Sequence, residues 1–132
     1  MPILNVKVSA PASARLAEKL AATLVELTVR HLRKKAELTS VAVDFVDPEH
    51  WIVAGKSLAA WGLASFFLEI KIVDGTNTKD EKAAWQAEVF RAMGGLLGAL
   101  HGESYLHVHD VRADAYGYGG LTQEQRYIES RR

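Results

Sequence analysis

The chain switches between two hydrophobic periods, and it does so twice. Ile3 to Val8 (ILNVKV) sets Leu4, Val6 and Val8 on one side and Ile3, Asn5 and Lys7 on the other, the period of two of a half-buried strand. Ser9-Ala10-Pro11 breaks the pattern. From about Ala12 to Lys35, Leu16, Leu20, Leu24 and Leu27 recur at spacings of four and three, which predicts an amphipathic helix. Its last turns carry Arg30, His31, Arg33, Lys34 and Lys35, a solvated basic end that suits the helix dipole. Thr39 to Val46 alternates again, with Val41, Val43 and Phe45 on one face, and Asp47-Pro48-Glu49 ends it. His50 to Gly55 reads as a short strand or hairpin arm, and Lys56 to Ser65 as a connector.

The second half repeats the first. Leu68-Glu69-Ile70-Lys71-Ile72 matches Leu4-Asn5-Val6-Lys7-Val8 at an offset of 64. Asp74 to Thr78 predicts a turn ending in an N-cap, and Lys79-Asp80-Glu81-Lys82 opens a helix with Trp85, Val89, Met93, Leu96 and Leu100 as its apolar stripe. Leu106 to Val111 matches Val41 to Val46, and Tyr116 to Gly120 matches Trp51 to Gly55, both at an offset of 65. The expected fold is α+β, in one domain. Two pseudo-repeated β-α-β units, about residues 2–56 and 66–120, build a four-stranded sheet with two helices on one face. Residues 121–132 read as a polar tail.

The helix stripes account for one sheet face. The other carries Asn5, Lys7, Ala42, Asp44, Glu69, Lys71, His107 and His109, a polar surface whose charges nearly cancel. Closure of several copies around an axis explains such a layer better than solvation does, and a homotrimer is the expected assembly.

Composition narrows the chemistry. Sixteen basic residues balance sixteen acidic ones in 132, so the positive field that drives general nucleic-acid binding is absent. There are no cysteines, which removes disulfides, thiol catalysis and cysteine-held metals. No apolar run reaches the roughly 20 residues of a membrane span, and the start lacks a secretory pattern. A soluble, cytoplasmic protein with no membrane partner and no cofactor is expected.

Pro2 is the residue with most chemical potential. Removal of Met1 would leave it as a secondary amine at the start of a strand. A free α-amine has a reference pKa of about 7.7–8.0, and burial lowers it, so such a group can take and return a proton near neutrality. His107 and His109, at alternate positions of one strand, point both imidazoles to one face. With Asp44 or His50 they would approach a zinc set, but hydrogen-bonded interfacial histidines are the commoner outcome, and no metal is expected.

The order of these features resembles the tautomerase superfamily, in its 4-oxalocrotonate tautomerase-like branch. The resemblance rests on Met1-Pro2-Ile3, on Leu38-Thr39-Ser40-Val41 entering the second strand, and on Asp74-Gly75 before the second helix. It rests also on the aromatic, glycine-containing arms at Trp51 to Gly55 and Tyr116 to Gly120. It covers about residues 2–120 and implies a fused, two-unit member with the tautomerase/MIF-like fold. Carried over, Pro2 is the general base and acid, and Phe66 stands at its place in the second unit. Trp51 and Tyr116 supply the aromatic wall. The family's carboxylate-binding arginines fall at Ala12, Thr76, Ala42 and His107, where this chain has none. Arg112, His107, His109 and the helix-start donors Thr76, Asn77 and Thr78 are the candidate replacements. The implied activity is keto–enol or double-bond isomerisation of a small anionic 2-hydroxy-dienoate or α-keto acid. The alternatives are hydration, dehalogenation or decarboxylation, with Asp44 or Asp114 activating water, or a non-catalytic oligomeric member.

Overall fold

A computed structural model describes residues 2–131. β1 (Ile3–Val8) buries Leu4, Val6 and Val8 and exposes Asn5 and Lys7, as the alternation requires. Ser13 then caps α1 (Ala14–Leu32) by accepting from the Leu16 amide at 3.1 Å. α1 buries Leu20, Leu24, Leu27, Thr28 and Leu32. β2 (Ser40–Phe45) follows, and then a small hairpin of β3 (Ile52–Val53) and β4 (Lys56–Ser57), which leads into the short helix α2 (Leu58–Trp61). Ala54 and Gly55 turn the hairpin with φ of 52° and 76°, the left-handed region that suits glycine and strains alanine.

The second unit follows the same order: β5 (Phe66–Val73), α3 (Lys79–Leu97), β6 (Tyr105–Val111), a hairpin of β7 (Gly117–Tyr118) and β8 (Leu121–Thr122), and α4 (Gln123–Ser130). Thr78 and Glu81 form a reciprocal capping box at the start of α3. The main sheet runs β2-β1-β5-β6. β1 pairs parallel with β2, β5 parallel with β6, and β1 antiparallel with β5. Each parallel pair needs a crossover helix, and the antiparallel seam turns one unit over against the other about a pseudo-twofold axis. The core lies between the helices and the face carrying Leu4, Val6, Leu68 and Ile70. Buried Trp85 of α3 donates its indole N–H to Thr28 of α1 at 3.2 Å, which fastens helix to helix.

The repeat is longer than the sequence suggests. Residues 56–65 are not a plain connector: they hold β4 and α2, and Leu58 is fully buried. Residues 121–130 are not a tail: they form β8 and α4. The two segments correspond at an offset of 65. Ser57 caps α2, and Thr122 caps α4. The Leu58 amide donates to the Trp51 carbonyl at 2.9 Å, and the Gln123 amide to the Tyr116 carbonyl at 2.7 Å. The units therefore extend to about residues 61 and 126. No helix among the described residues is long and apolar enough to cross a membrane.

Candidate functional site

Strand direction decides which residues share an end of the sheet. β1 begins where β5 and β6 finish, so Pro2 lies at the same end as Val73, Val111 and the hairpin after β6. Pro2 is buried, and its carbonyl accepts from the Ser40 amide at 3.2 Å. One cross-strand row at this end runs Ser40, Ile3, Lys71, His109. Tyr116 packs against it, and its hydroxyl donates to the Lys71 carbonyl at 3.2 Å. Burial raises the Tyr116 phenol above its ordinary value, opposed by a hydrogen bond from the Ile3 backbone. Tyr116 is thus a neutral hydroxyl one residue away from Pro2 in register.

The next row inward is Ala42, Asn5, Glu69, His107. Glu69 is its centre: it accepts from Asn5 at 3.4 Å, lies 3.5 Å from the Lys71 ammonium and is bonded to His109 Nε2 at 3.2 Å. Burial opposes its ionisation. The Lys71 charge and the hydrogen bonds from Asn5, Lys71 and His109 outweigh that and hold its carboxyl below the usual range. The His107 and His109 rings stack with centroids 3.8 Å apart. They do lie on one face, but among the described residues no three His, Asp or Glu side chains converge as a metal set, so neither Asp44 nor His50 joins them.

Residues 2–60 match the family model described as "Tautomerase enzyme". The match starts at Pro2 and spans the first unit. Solved structures extend the likeness to the whole chain. "Q0 fused 4-OT wild type symmetric trimer" is 20% identical, covering 92% of this chain and 96% of its own, with a TM-score of 0.78. Pt0534, solved after inactivation by 2-oxo-3-pentynoate, is 14% identical, covering 94% and 98%, with a TM-score of 0.80. A macrophage migration inhibitory factor-like protein from Entamoeba histolytica is 17% identical, covering 92% and 97%, with a TM-score of 0.76.

The first unit matches the tautomerase family, and the chain as a whole has the fold of the fused 4-OT structures. No curated protein matches its sequence.

Within this fold, the residues singled out from sequence divide between two ends. Tyr116 and His109 lie at the Pro2 end, and His107 one row away. Trp51 does not join them. It follows the far end of β2, which runs parallel to β1, and lines a hollow of about 550 Å³ with Trp61, His101, Glu103 and Tyr105. That hollow lies at the Phe66 end, where Phe66 is fully buried. Asp44, cross-strand from Lys7, is likewise remote from Pro2.

Arg112 reaches the Pro2 end but is not a free cation. It makes two bonds to Asp114, at 3.0 and 2.8 Å, and shares its hollow with Asp74 and Glu124. Asp114 is held low by Arg112, which leaves it a poor base for water. Asn77 sits in the helix layer. Its amide donates to the Leu32 carbonyl at 3.0 Å and to Glu81 at 3.3 Å, joining the start of α3 to the end of α1.

Gln123 and Arg126 escape a sequence reading because α4 buries no residue and has no core-facing stripe to reveal it. The signal that could have found them is the cap pair Ser57 and Thr122 at the repeat offset. Both residues line a cavity of about 490 Å³ with Arg33, Lys34, Lys35 and Tyr118.

Proposed function

We propose that this chain is a tautomerase in which Pro2, freed by removal of Met1, is the general base and then the general acid. Its substrate is a small 2-hydroxy-dienoate or α-keto acid. The observation that carries this reading is the burial of Pro2 at the start of β1, next in sequence to Ile3, whose backbone hydrogen-bonds the hydroxyl of Tyr116. A buried secondary amine loses the charged form's hydration, so its pKa falls toward neutrality, where it exchanges protons most effectively. The amine takes the proton of the substrate's enol oxygen, the electron pair moves along the conjugated chain, and the protonated amine delivers the proton to carbon. Reversal gives the dienol. Charge on the oxygen is met by a neutral hydroxyl donor, the role proposed for Tyr116, whose O–H exchanges the Lys71 carbonyl for the substrate oxygen.

The proposal gives one base to each chain, because Phe66 in the second unit is fully buried and has no free amine. It includes a homotrimer, in keeping with the fused 4-OT structures solved as trimers. The stacked His107 and His109, with Glu69 bonded to His109, lie on the face that three copies would enclose.

Intact-mass analysis followed by incubation with 2-oxo-3-pentynoate tests the mechanism. The expected result is loss of Met1, a single adduct per chain, and peptide mapping of that adduct to Pro2. Full activity in protein that retains Met1 refutes the proposal, as does inactivation with Pro2 unmodified.

A further inference from the structure

The pseudo-twofold repeat supplies an internal comparison. The same fold position is built twice, and the two versions differ at several lining positions. After α1 the chain carries Arg33, Lys34 and Lys35, whereas the counterparts after α3 are Gly98, Ala99 and Leu100. Gln123 and Arg126 of the second unit correspond to Leu58 and Trp61 of the first. Every one of these differences adds a hydrogen-bond donor, and four of the five add positive charge.

Arg126 performs a structural task that needs no charge. Its Nη2 donates to the Tyr118 carbonyl at 2.8 Å, and Trp61 Nε1 makes the corresponding bond to the Val53 carbonyl at 3.0 Å. The guanidinium also stacks on the Tyr118 ring at 3.9 Å. What remains is telling: Arg126 Nε and Gln123 Nε2 are buried with no hydrogen-bond partner among the described residues. A buried donor left unpaired costs stability, and leucine at the corresponding position avoids that cost. Both side chains wall the cavity of about 490 Å³ that the three helix-end cations also line, with no acidic side chain among its described lining residues. Of those cations, Arg33 is paired with Glu81 at 2.8 Å and Lys34 donates to Thr76 at 3.0 Å.

The cavity belongs to the Pro2 end. Leu38, on its wall, is two residues before Ser40, whose amide holds the Pro2 carbonyl. Tyr118, on the other wall, is two residues after Tyr116.

We infer that Gln123 and Arg126, with Lys35, form an anion subsite that receives a carboxylate of the substrate. The inference rests on the tautomerase reading for the identity of that carboxylate. It assigns the anion-binding work to the second unit's terminal helix and the end of the first unit's helix.

The test separates binding from turnover. Titration calorimetry with adipate, a saturated dicarboxylate that cannot tautomerise, is run on the full chain and on Arg126→Gln, Gln123→Leu and Lys35→Gln. Gln123→Leu copies the first unit's residue and keeps the fold even if Arg126→Gln loosens the hairpin, which circular dichroism monitors. Loss of a charged donor weakens adipate binding about 10- to 100-fold for Arg126→Gln, and loss of the neutral donor weakens it several-fold for Gln123→Leu. Unchanged adipate affinity in Gln123→Leu and Lys35→Gln overturns the subsite. So does inorganic phosphate binding as tightly as adipate, which would mark an unselective anion hollow. Adipate binding of the expected pattern in a chain with no tautomerase activity leaves the subsite standing and removes the catalytic proposal alone.

Discussion

The hydroxyl of Tyr116 donates to the carbonyl of Lys71 at 3.2 Å, and that bond ties the second unit's hairpin to the row of residues that contains Ile3. The phenol is protonated at neutral pH, and burial raises it further above its ordinary value of 10.0. Tyr116→Phe keeps the ring and removes the donor. If the hydroxyl meets charge developing on the substrate oxygen, kcat falls by about a hundredfold, the scale for one oxyanion donor. The melting temperature drops only a few degrees, as for one net hydrogen bond. Steady-state kinetics beside a thermal melt distinguish the two roles: a stability loss with unchanged kcat makes Tyr116 a hairpin anchor and nothing more.

Replacing the proposed base has a different signature. Pro2→Ala leaves a primary amine of different basicity at the start of β1, and turnover of phenylenolpyruvate or 2-hydroxymuconate falls by about two to four orders of magnitude. The pH optimum should move with the new amine. A pH–rate profile that stays where it was, with kcat intact, assigns the proton transfer to another group.

Arg112 and Arg126 make opposite predictions despite their shared charge. Arg112 has a side chain 79% exposed, is held by Asp114 through two bonds, and has Asp74 and Glu124 around it, so an incoming anion meets net negative charge. Its substitution by alanine should leave KM for a carboxylate substrate within about twofold, since exposed ion pairs contribute little. Arg126→Gln should raise that KM. A larger KM change for Arg112→Ala than for Arg126→Gln restores Arg112 to the site.

What could be read from the sequence is what local spacing determines. Leu4, Val6 and Val8 fix a strand face, Leu20, Leu24 and Leu27 a helix stripe, and Thr78 with Glu81 a helix start, because each depends on neighbours within a turn or two. α4 was not legible. Gln123 to Ser130 buries no whole residue, and its place is set by long-range bonds from the Gln123 and Glu124 amides to the Tyr116 and Ala113 carbonyls. Trp51 was legible as an aromatic at a hairpin, but its position was not. Only the parallel pairing of β1 with β2 sends it to the end of the sheet opposite Pro2. Arg112 shows the same limit, since nothing in a cation's own position reveals that Asp114, two residues on, holds it.

The capping box at α3 gives a stability change with a defined sign. Hydrogen bonding from the Thr78 backbone, with smaller contributions from Asn77 and the Arg33 charge, holds the Glu81 carboxyl below its ordinary value of 4.5 despite some desolvation. The folded value is below the unfolded one, so this stabilisation is present above pH 4.5 and is lost as pH falls through the folded value. Glu81→Gln should therefore lower the melting temperature at pH 7 and converge with the parent in acid. Thr78→Ala should cost about 1 kcal/mol at both ends of the range, since its hydroxyl does not titrate. Parallel melting curves for Glu81→Gln and the parent from pH 7 down to pH 3 contradict the assignment.

The open sheet face predicts the assembly. Its rows carry Lys7 beside Asp44, Lys71 beside His109, and Glu69 bonded to Asn5, Lys71 and His109, so charge is largely matched within the chain and little is left to hold water. Phe67 and Tyr105 sit side by side in one row and are both exposed, next to the exposed Ile52 of the first hairpin. A solvated sheet face is physically allowed, but exposed aromatics in register with an uncovered strand edge are a liability in a monomer. Three copies around an axis cover both. Three chains of 14.5 kDa give about 43.5 kDa, and light scattering after size exclusion reads the mass directly. Tyr105→Glu places charge in the row with Phe67 and Lys7 and should shift the population toward the single chain, with loss of activity if neighbouring copies complete the site. A fully active species of 14.5 kDa in the parent protein defeats the trimer, and with it any role for a second copy in catalysis.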